Sequence, residues 1–360
     1  MGLKGDNQLR LLFWELTTGC NLSCIHCRAS AQPGRALDEL STQEAQGVID
    51  QLTSFSSPIL VLTGGEPLYR PDVFDIARYA SYKGMRVALA TNGTLVTDDV
   101  ARSIVEAGVK RVSISLDGGK AETHDTFRGL RGSFAKAMQG FENLKRYGMS
   151  LQFNTTIARH NAHEVEEVLD LALKLGADAL HIFMLVPVGC GLQIADEQML
   201  PAEEYEHILE WFYRMSREVR IELKATCAPH YFRIMYQKAK EAGIRVTWET
   251  HGMAAMSKGC LAGTGVCFLS HKGKVQPCGY LPVEAGDVRR ESLRKIWEES
   301  RLFQELRNSD LLKGKCGICE YRMVCEGCRA RAFSEKGDYL EEEPYCIYVP
   351  RKVQSRTVTA

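Results

Sequence analysis

Between Leu9 and about Leu185 the chain alternates six short β-rich runs with amphipathic helical stretches, and this alternation limits the fold more than any other feature. The strand-like runs are Arg10 to Leu16, Ile59 to Leu62, Arg86 to Ala90, Arg111 to Leu116, Ser150 to Ile157 and Ala179 to Leu185. Helical patterns at Thr42 to Phe55, Pro71 to Lys83, Thr97 to Ala107, Ser133 to Tyr147 and Ala162 to Leu175 separate them, with Gly84, Gly108, Gly148 and Gly176 just past four of the helices. Repeated β-α units imply an α/β fold, a parallel sheet with helices outside it. In such sheets ligands gather at the C-terminal ends of the strands. Cys20, Gly64 to Pro67, Asn92, Asp117, Asn154 and Val186 to Gly191 each follow or close a strand, which predicts one site along one edge.

Beyond Pro201 the pattern reads as helices around a strand-like Val219 to Ala225. Gly, Cys and Pro become frequent between Gly252 and Pro282, a helix is predicted at Ser292 to Arg307, and a cysteine-dense segment runs to Cys346. Three units follow: 1–225 as the β/α body, 226–259 as a helical connection, and 260–360 as a domain organised by metal rather than by apolar volume.

The 45 Lys and Arg balance the 45 Asp and Glu, so no net field points to nucleic acid or an anionic membrane. The N-terminus lacks the apolar stretch of a signal peptide, and Pro187, Gly189 and Gly191 interrupt the longest uncharged run. A cytoplasmic protein with no membrane segment is expected. Thirteen cysteines are then too many for core packing, and a reducing compartment disfavours disulfides, so metal ligation is the better account. Three lie within Cys20 to Cys27 and eight between Cys260 and Cys346, which predicts two metal regions. For Cys190 and Cys227, burial as a small apolar side chain is as good a reading as any role.

Cys20-Asn-Leu-Ser-Cys24-Ile-His-Cys27 has C-x3-C-x2-C spacing directly after a strand. Such a loop can wrap three thiolates around a four-iron cubane and leave one iron open, whereas a closed zinc site wants a fourth ligand. This spacing, followed by Gly64-Gly65-Glu66-Pro67 after the second strand, resembles the radical S-adenosylmethionine (SAM) superfamily over Leu9 to about Val186. The resemblance implies a partial (β/α)6 barrel of the TIM type. It also implies a [4Fe-4S] cluster on Cys20, Cys24 and Cys27 whose open iron takes SAM, and an external electron donor of the ferredoxin or flavodoxin type. By the same resemblance His26 lies near adenine, and Gly64, Gly65, Glu66 and Pro67 receive the methionine amino group. Asn92, Ser115, Asp117, Arg128, Asn154 and Leu185 are the further expected SAM contacts.

Cys260-x6-Cys267-x10-Cys278, then Cys316-x2-Cys319-x5-Cys325-x2-Cys328 and Cys346, resembles the SPASM extension of that superfamily. Carried over by position, Cys260, Cys267, Cys278 and Cys328 would hold one auxiliary [4Fe-4S] cluster, and Cys316, Cys319, Cys325 and Cys346 a second. A zinc ribbon on Cys316, Cys319, Cys325 and Cys328 is the alternative. The strings Cys27-Arg-Ala-Ser30, His181-Ile-Phe-Met-Leu-Val-Pro187 and Thr226-Cys-Ala-Pro-His230-Tyr-Phe-Arg233 are similar to the haem b synthase branch. That branch implies iron-coproporphyrin III as a tetrapyrrole substrate, with two propionates becoming vinyl groups. Arg28, His230, Tyr231 and Arg233 are candidates for holding its carboxylates and ring. Related tetrapyrrole-modifying enzymes, peptide-modifying SPASM enzymes and an iron-sulfur electron carrier are the other readings of the same residues.

Overall fold

The computed structural model describes residues 7–353. Among them ten strands form one sheet in the linear order β10-β9-β8-β1-β2-β3-β4-β5-β6-β7. Seven run parallel in chain order: β1 (Leu11–Glu15), β2 (Ile59–Thr63), β3 (Val87–Thr91), β4 (Arg111–Ser115), β5 (Ser150–Ile157), β6 (Ala179–Met184) and β7 (Glu222–Thr226). The crossovers carry α1 (Thr42–Phe55), α2 (Val73–Tyr82), α3 (Asp98–Glu106), α4 (Ala121–Arg128), α5 (Ser133–Arg146) and α6 (Val165–Leu175). The short α7 (Ala195–Gln198) and long α8 (Ala202–Glu218) precede β7, and α9 (His230–Glu241) and α10 (Trp248–His251) follow it. The barrel is therefore partial, with β7 as a seventh parallel strand beyond the six read from the main alternation.

Strand alternation sorts the side chains. In β1, Leu12 and Trp14 are fully buried and belong to the same core as Ala45, Val48, Ile49 and Leu52 of α1. Phe13 and Glu15 point to the opposite face, because successive Cβ atoms alternate. The same rule puts Ser113 and Ser115 of β4 in register with Gln152 and Asn154 of β5, and Asn154 with His181 of β6. This polar row lines the inner face, while Val112, Ile114, Leu151, Phe153, Leu180 and Ile182 fill the layer under the helices.

The C-terminal third joins this sheet. β8 (Val266–Leu269) pairs parallel with β1, and β9 (Lys274–Gln276) and β10 (Gly286–Asp287) extend it antiparallel. Here the structure corrects the expectation of a domain built without apolar volume. Leu269, Val275, Leu281, Trp297 and Phe303 are buried members of the same core as β1. Each such side chain contributes roughly 1.5–3 kcal/mol on burial. The expected single helix at 292–307 is two, α11 (Leu293–Glu299) and α12 (Arg301–Arg307), because Ser300 takes an extended backbone (φ −57°, ψ 126°). The small α13 (Gly314–Ile318) and α14 (Arg329–Lys336) follow. No helix among the described residues is long and apolar enough to cross a membrane.

Candidate active site

The loop after β1 carries Cys20, Cys24 and Cys27, and the loop after β2 presses against its base. Gly65 N–H donates to Thr17 O and Glu66 N–H to Gly19 O, both at 2.8 Å. A Cβ on Gly64 would meet Thr17 O at 2.5 Å, and one on Gly65 would meet Gly19 O at 2.5 Å and Thr18 O at 2.6 Å. Both positions therefore demand glycine, and the demand comes from backbone packing under the cysteine loop. Pro67 opens a short 3-10 turn (Pro67–Tyr69) that Glu66 caps.

Glu66 is fully buried and accepts three hydrogen bonds: from Leu68 N at 3.1 Å, Thr91 Oγ1 at 2.7 Å and Asn92 N at 2.7 Å. Burial outweighs these donors and raises its carboxyl to about 7. Asn92 in turn donates to Asn21 at 2.9 Å and reaches Cys20 Sγ at 3.9 Å. Glu66 thus ties β2 to β3, and Asn92 carries that order into the cysteine loop.

A second buried network closes the other side. Arg128 at the end of α4 lies 2.6 Å from Asp117 Oδ2, and His26 Nε2 lies 3.1 Å from the same oxygen. Neither contact has hydrogen-bond alignment, and Asp117 Oδ2, Arg128 Nε and His26 Nδ1 are buried without hydrogen-bond partners. Burial alone would raise Asp117, but Arg128 and then His26 overcome it and hold the carboxylate ionised. His26 stacks on Phe127 with ring centres 3.9 Å apart, and burial lowers its pKa so that the ring is neutral. Ser115 and Asn154 sit on the polar inner face of the sheet, and Asn154 accepts from Gln152 at 2.6 Å. Leu185 packs with Phe127, Ala158 and Met199 at the end of β6.

N–H groups already face the three thiols. Leu22 N donates to Cys20 Sγ and Ala31 N to Cys27 Sγ, both at 3.4 Å, while Arg128 reaches Cys24 Sγ at 3.8 Å. Burial lifts Cys20 to about 11 and raises Cys24, so metal ligation must release protons. Among the described residues no three His, Cys, Asp or Glu side chains converge tightly enough for a single metal ion. The donors around an open three-thiol loop, together with the orphaned polar atoms beside it, suit an anionic cubane and a zwitterionic ligand.

In the C-terminal region Cys316, Cys319, Cys325 and Cys346 line one cavity, with His230 and Arg233 on its wall. That cavity takes in Cys346 and leaves out Cys328, the reverse of the zinc-ribbon grouping. Cys328 N donates to Glu343 Oε2 at 2.6 Å, and Glu343 N donates to Cys316 Sγ at 3.4 Å. Glu343 also pairs with Arg331 at 2.9 Å, both fully buried, and Arg331 reaches Tyr205 at 2.6 Å and Leu185 O at 3.5 Å. Nothing in the cysteine spacing announces Glu343, Arg331 or Tyr205; only the fold brings them together. Cys267 lies in β8 opposite Leu12, fully buried.

The four substrate candidates do not converge on one site: His230 and Arg233 line the four-thiol cavity, and Arg28 and Tyr231 do not. Arg28 donates to Glu15 at 2.7 Å and to Gly279 O at 3.4 Å, and lies 4.7 Å over the Phe268 ring. His230 is fully buried 3.9 Å from Glu343, and burial lowers it to about 3. Arg233 forks onto Glu206 at 2.5 and 2.7 Å beside the four-thiol cavity. Tyr231 faces the α8 and α9 core, donating to Ser216 at 3.2 Å. Only Arg28 stands beside the first cysteine loop, and its partner Glu15 also holds His271 at 2.7 Å.

Comparison with known proteins bears on this geometry. The Radical SAM superfamily model matches residues 14–172, and the SPASM model of an iron-sulfur cluster-binding domain matches residues 260–329. The chain is 30% identical to the Fe-coproporphyrin III synthase of Methanosarcina barkeri, covering 95% of this chain and 89% of the relative. Its fold overlays Streptococcus suis SuiB bound to S-adenosylmethionine with a TM-score of 0.75, covering 95% of this chain and 78% of that one, at 15% identity. With the AdoMet-dependent heme synthase of Methanosarcina barkeri the identity rises to 55%, over 96% of this chain and 98% of the relative. Likeness of that degree, running almost end to end through both cysteine regions, makes this chain a member of the AdoMet-dependent heme synthase family of radical SAM enzymes.

Proposed function

We propose that this enzyme makes haem b by converting two propionate side chains of iron-coproporphyrin III to vinyl groups. The observation that carries the reading is the near end-to-end identity to an AdoMet-dependent heme synthase. As a radical SAM enzyme with a SPASM domain it uses a [4Fe-4S] cluster with SAM, and auxiliary iron-sulfur clusters. Held by Cys20, Cys24 and Cys27, the first cluster with SAM would supply the radical chemistry that removes a hydrogen atom from the propionate carbon β to the carboxylate.

Cys20, Cys24 and Cys27 anchor that cluster in this proposal. Glu66, held by Leu68, Thr91 and Asn92, turns a buried carboxylate toward the methionine ammonium. Gly64, Gly65 and Pro67 shape the edge beside it. Asp117 and Arg128 form the opposite wall, where His26 on Phe127 offers a flat neutral face to adenine. Ser115, Asn154 and Leu185 complete the lining. Of the substrate candidates Arg28 is retained, since it alone borders the first loop.

Loss of a hydrogen atom and then of carbon dioxide leaves one electron that must depart before the vinyl double bond forms. An iron-sulfur acceptor answers this need, and zinc, which has no accessible redox change, does not. Support comes from the Arg28 to Gly279 hydrogen bond, which sets the Cys278 loop against the Cys27 loop. We place the enzyme in the cytoplasm with a ferredoxin- or flavodoxin-type donor. The test is anaerobic incubation of the reconstituted, reduced protein with SAM and iron-coproporphyrin III, read by porphyrin mass. Two successive losses of carbon dioxide and two hydrogens are expected. An unchanged porphyrin mass alongside 5′-deoxyadenosine formation would refute the substrate.

A further inference from the structure

Strand β8 gives its cysteine the wrong face for a cluster. Phe268 points inward under Arg28, so its neighbour Cys267 points outward by alternation, in register with Leu12. There it belongs to the apolar core shared with Trp297 and Phe303. Burial raises its thiol, Arg307 alone offsets that rise, and no other thiol contributes.

The end of β7 offers a different sulfur. Cys227 follows Thr226 with φ +53°, one of three non-glycine residues with positive φ among those described. The other two, Ser30 and Glu326, lie close to Cys27 and Cys325, so among the described residues non-glycine left-handed backbone falls in the cysteine-bearing loops. The conformation at Cys227 is held by Tyr205, whose hydroxyl donates to Cys227 O at 2.9 Å. Tyr205 in turn accepts from Arg331, which pairs with Glu343, the acceptor for Cys328 N. On its other side the segment packs against the residue before Cys260: a Cβ on Gly259 would lie 2.7 Å from Pro229 Cβ and 2.4 Å from Cys325 O. Burial is the main cause of the raised Cys227 thiol, and the neighbouring groups that add to it are Cys328, Cys278 and Cys260.

We infer that Cys227 is the fourth thiolate of the first auxiliary cluster, joining Cys260, Cys278 and Cys328, and that Cys267 is not a ligand. This rests on the reading of the C-terminal thiols as iron-sulfur anchors. Ligation forms an Sγ–Fe bond and releases the thiol proton to solvent.

The test uses the full chain with Cys20, Cys24 and Cys27 replaced by Ala, so that only auxiliary iron remains. After anaerobic reconstitution this parent holds about eight irons in two four-iron clusters. Adding Cys227→Ala removes about half of that iron or converts one cluster to a three-iron form visible by electron paramagnetic resonance. Adding Cys267→Ala changes neither the iron content nor the spectrum. Cys227→Ser keeps the side chain's size and folding, and it shifts the spectrum of one cluster where Cys267→Ser does not. Loss of iron with Cys267→Ala but not Cys227→Ala, or unchanged spectra for both Cys227 variants, overturns the assignment. A parent without auxiliary iron would overturn the cluster reading itself, and this assignment with it.

Discussion

Glu66→Gln separates what Glu66 does for the fold from what it does for SAM. The carboxylate is fully buried and its pKa is raised from 4.5 to about 7, burial being the main cause. A group whose folded pKa lies above its unfolded value contributes most stability below the unfolded pKa and loses it as pH rises toward the folded one. For Glu66 this loss runs from about pH 4.5 to 7 and amounts to about 3 kcal/mol in the protein without SAM. Glutamine cannot ionise, so at pH 8 it removes that penalty. Its amide NH2 must instead face one of the three donors, Leu68 N, Thr91 Oγ1 or Asn92 N, which costs about 1–3 kcal/mol. The gain matches or exceeds the cost, and denaturant unfolding at pH 8 should show stability unchanged or raised by up to about 2 kcal/mol. SAM affinity should still fall by about 1.5–3 kcal/mol, because the ammonium loses a charged partner. Wild-type affinity should also rise as pH increases through 7, and the variant's should not. Isothermal titration beside the unfolding curve measures both. Unchanged SAM affinity with clearly reduced stability would make Glu66 a strand tie and nothing more.

Cys24→Ala should abolish 5′-deoxyadenosine formation, since a cubane with two protein anchors cannot hold its open iron in place; comparable cleavage under strong reductant would remove this loop from the chemistry. Arg128→Met leaves the fully buried Asp117 without its guanidinium and should cost about 3–5 kcal/mol in denaturant unfolding, with partial rescue by Asp117→Asn in the same chain. Cys278→Ala should still yield 5′-deoxyadenosine but little vinyl product by mass spectrometry, and full vinyl formation would move the electron outlet elsewhere.

What the sequence reveals here is what local patterning controls. Apolar alternation and helix periodicity locate β1 to β6, and three thiols in an eight-residue span that follows a strand have few other uses. The cavity holding Cys316, Cys319, Cys325 and Cys346 groups the thiols that the SPASM resemblance groups. Long-range placement is what local patterning cannot supply. Cys267 sits between Cys260 and Cys278 in sequence, yet one strand residue decides its face, and β8 pairs with β1 from the far end of the chain. Cys227 looks solitary in sequence because its neighbours arrive through α9 and the 259–260 turn. Arg233 and Tyr231 look like ligand-binding residues, but α8 supplies Glu206 and Ser216 to satisfy them.

In the proposed reaction a propionate β-hydrogen of iron-coproporphyrin III is the atom the enzyme removes. Iron-coproporphyrin III deuterated at those β-carbons, turned over anaerobically with unlabelled SAM, tests it through the mass of the nucleoside product. 5′-Deoxyadenosine carrying one deuterium is expected, formed in step with vinyl product. Unlabelled 5′-deoxyadenosine accompanying vinyl formation would contradict it.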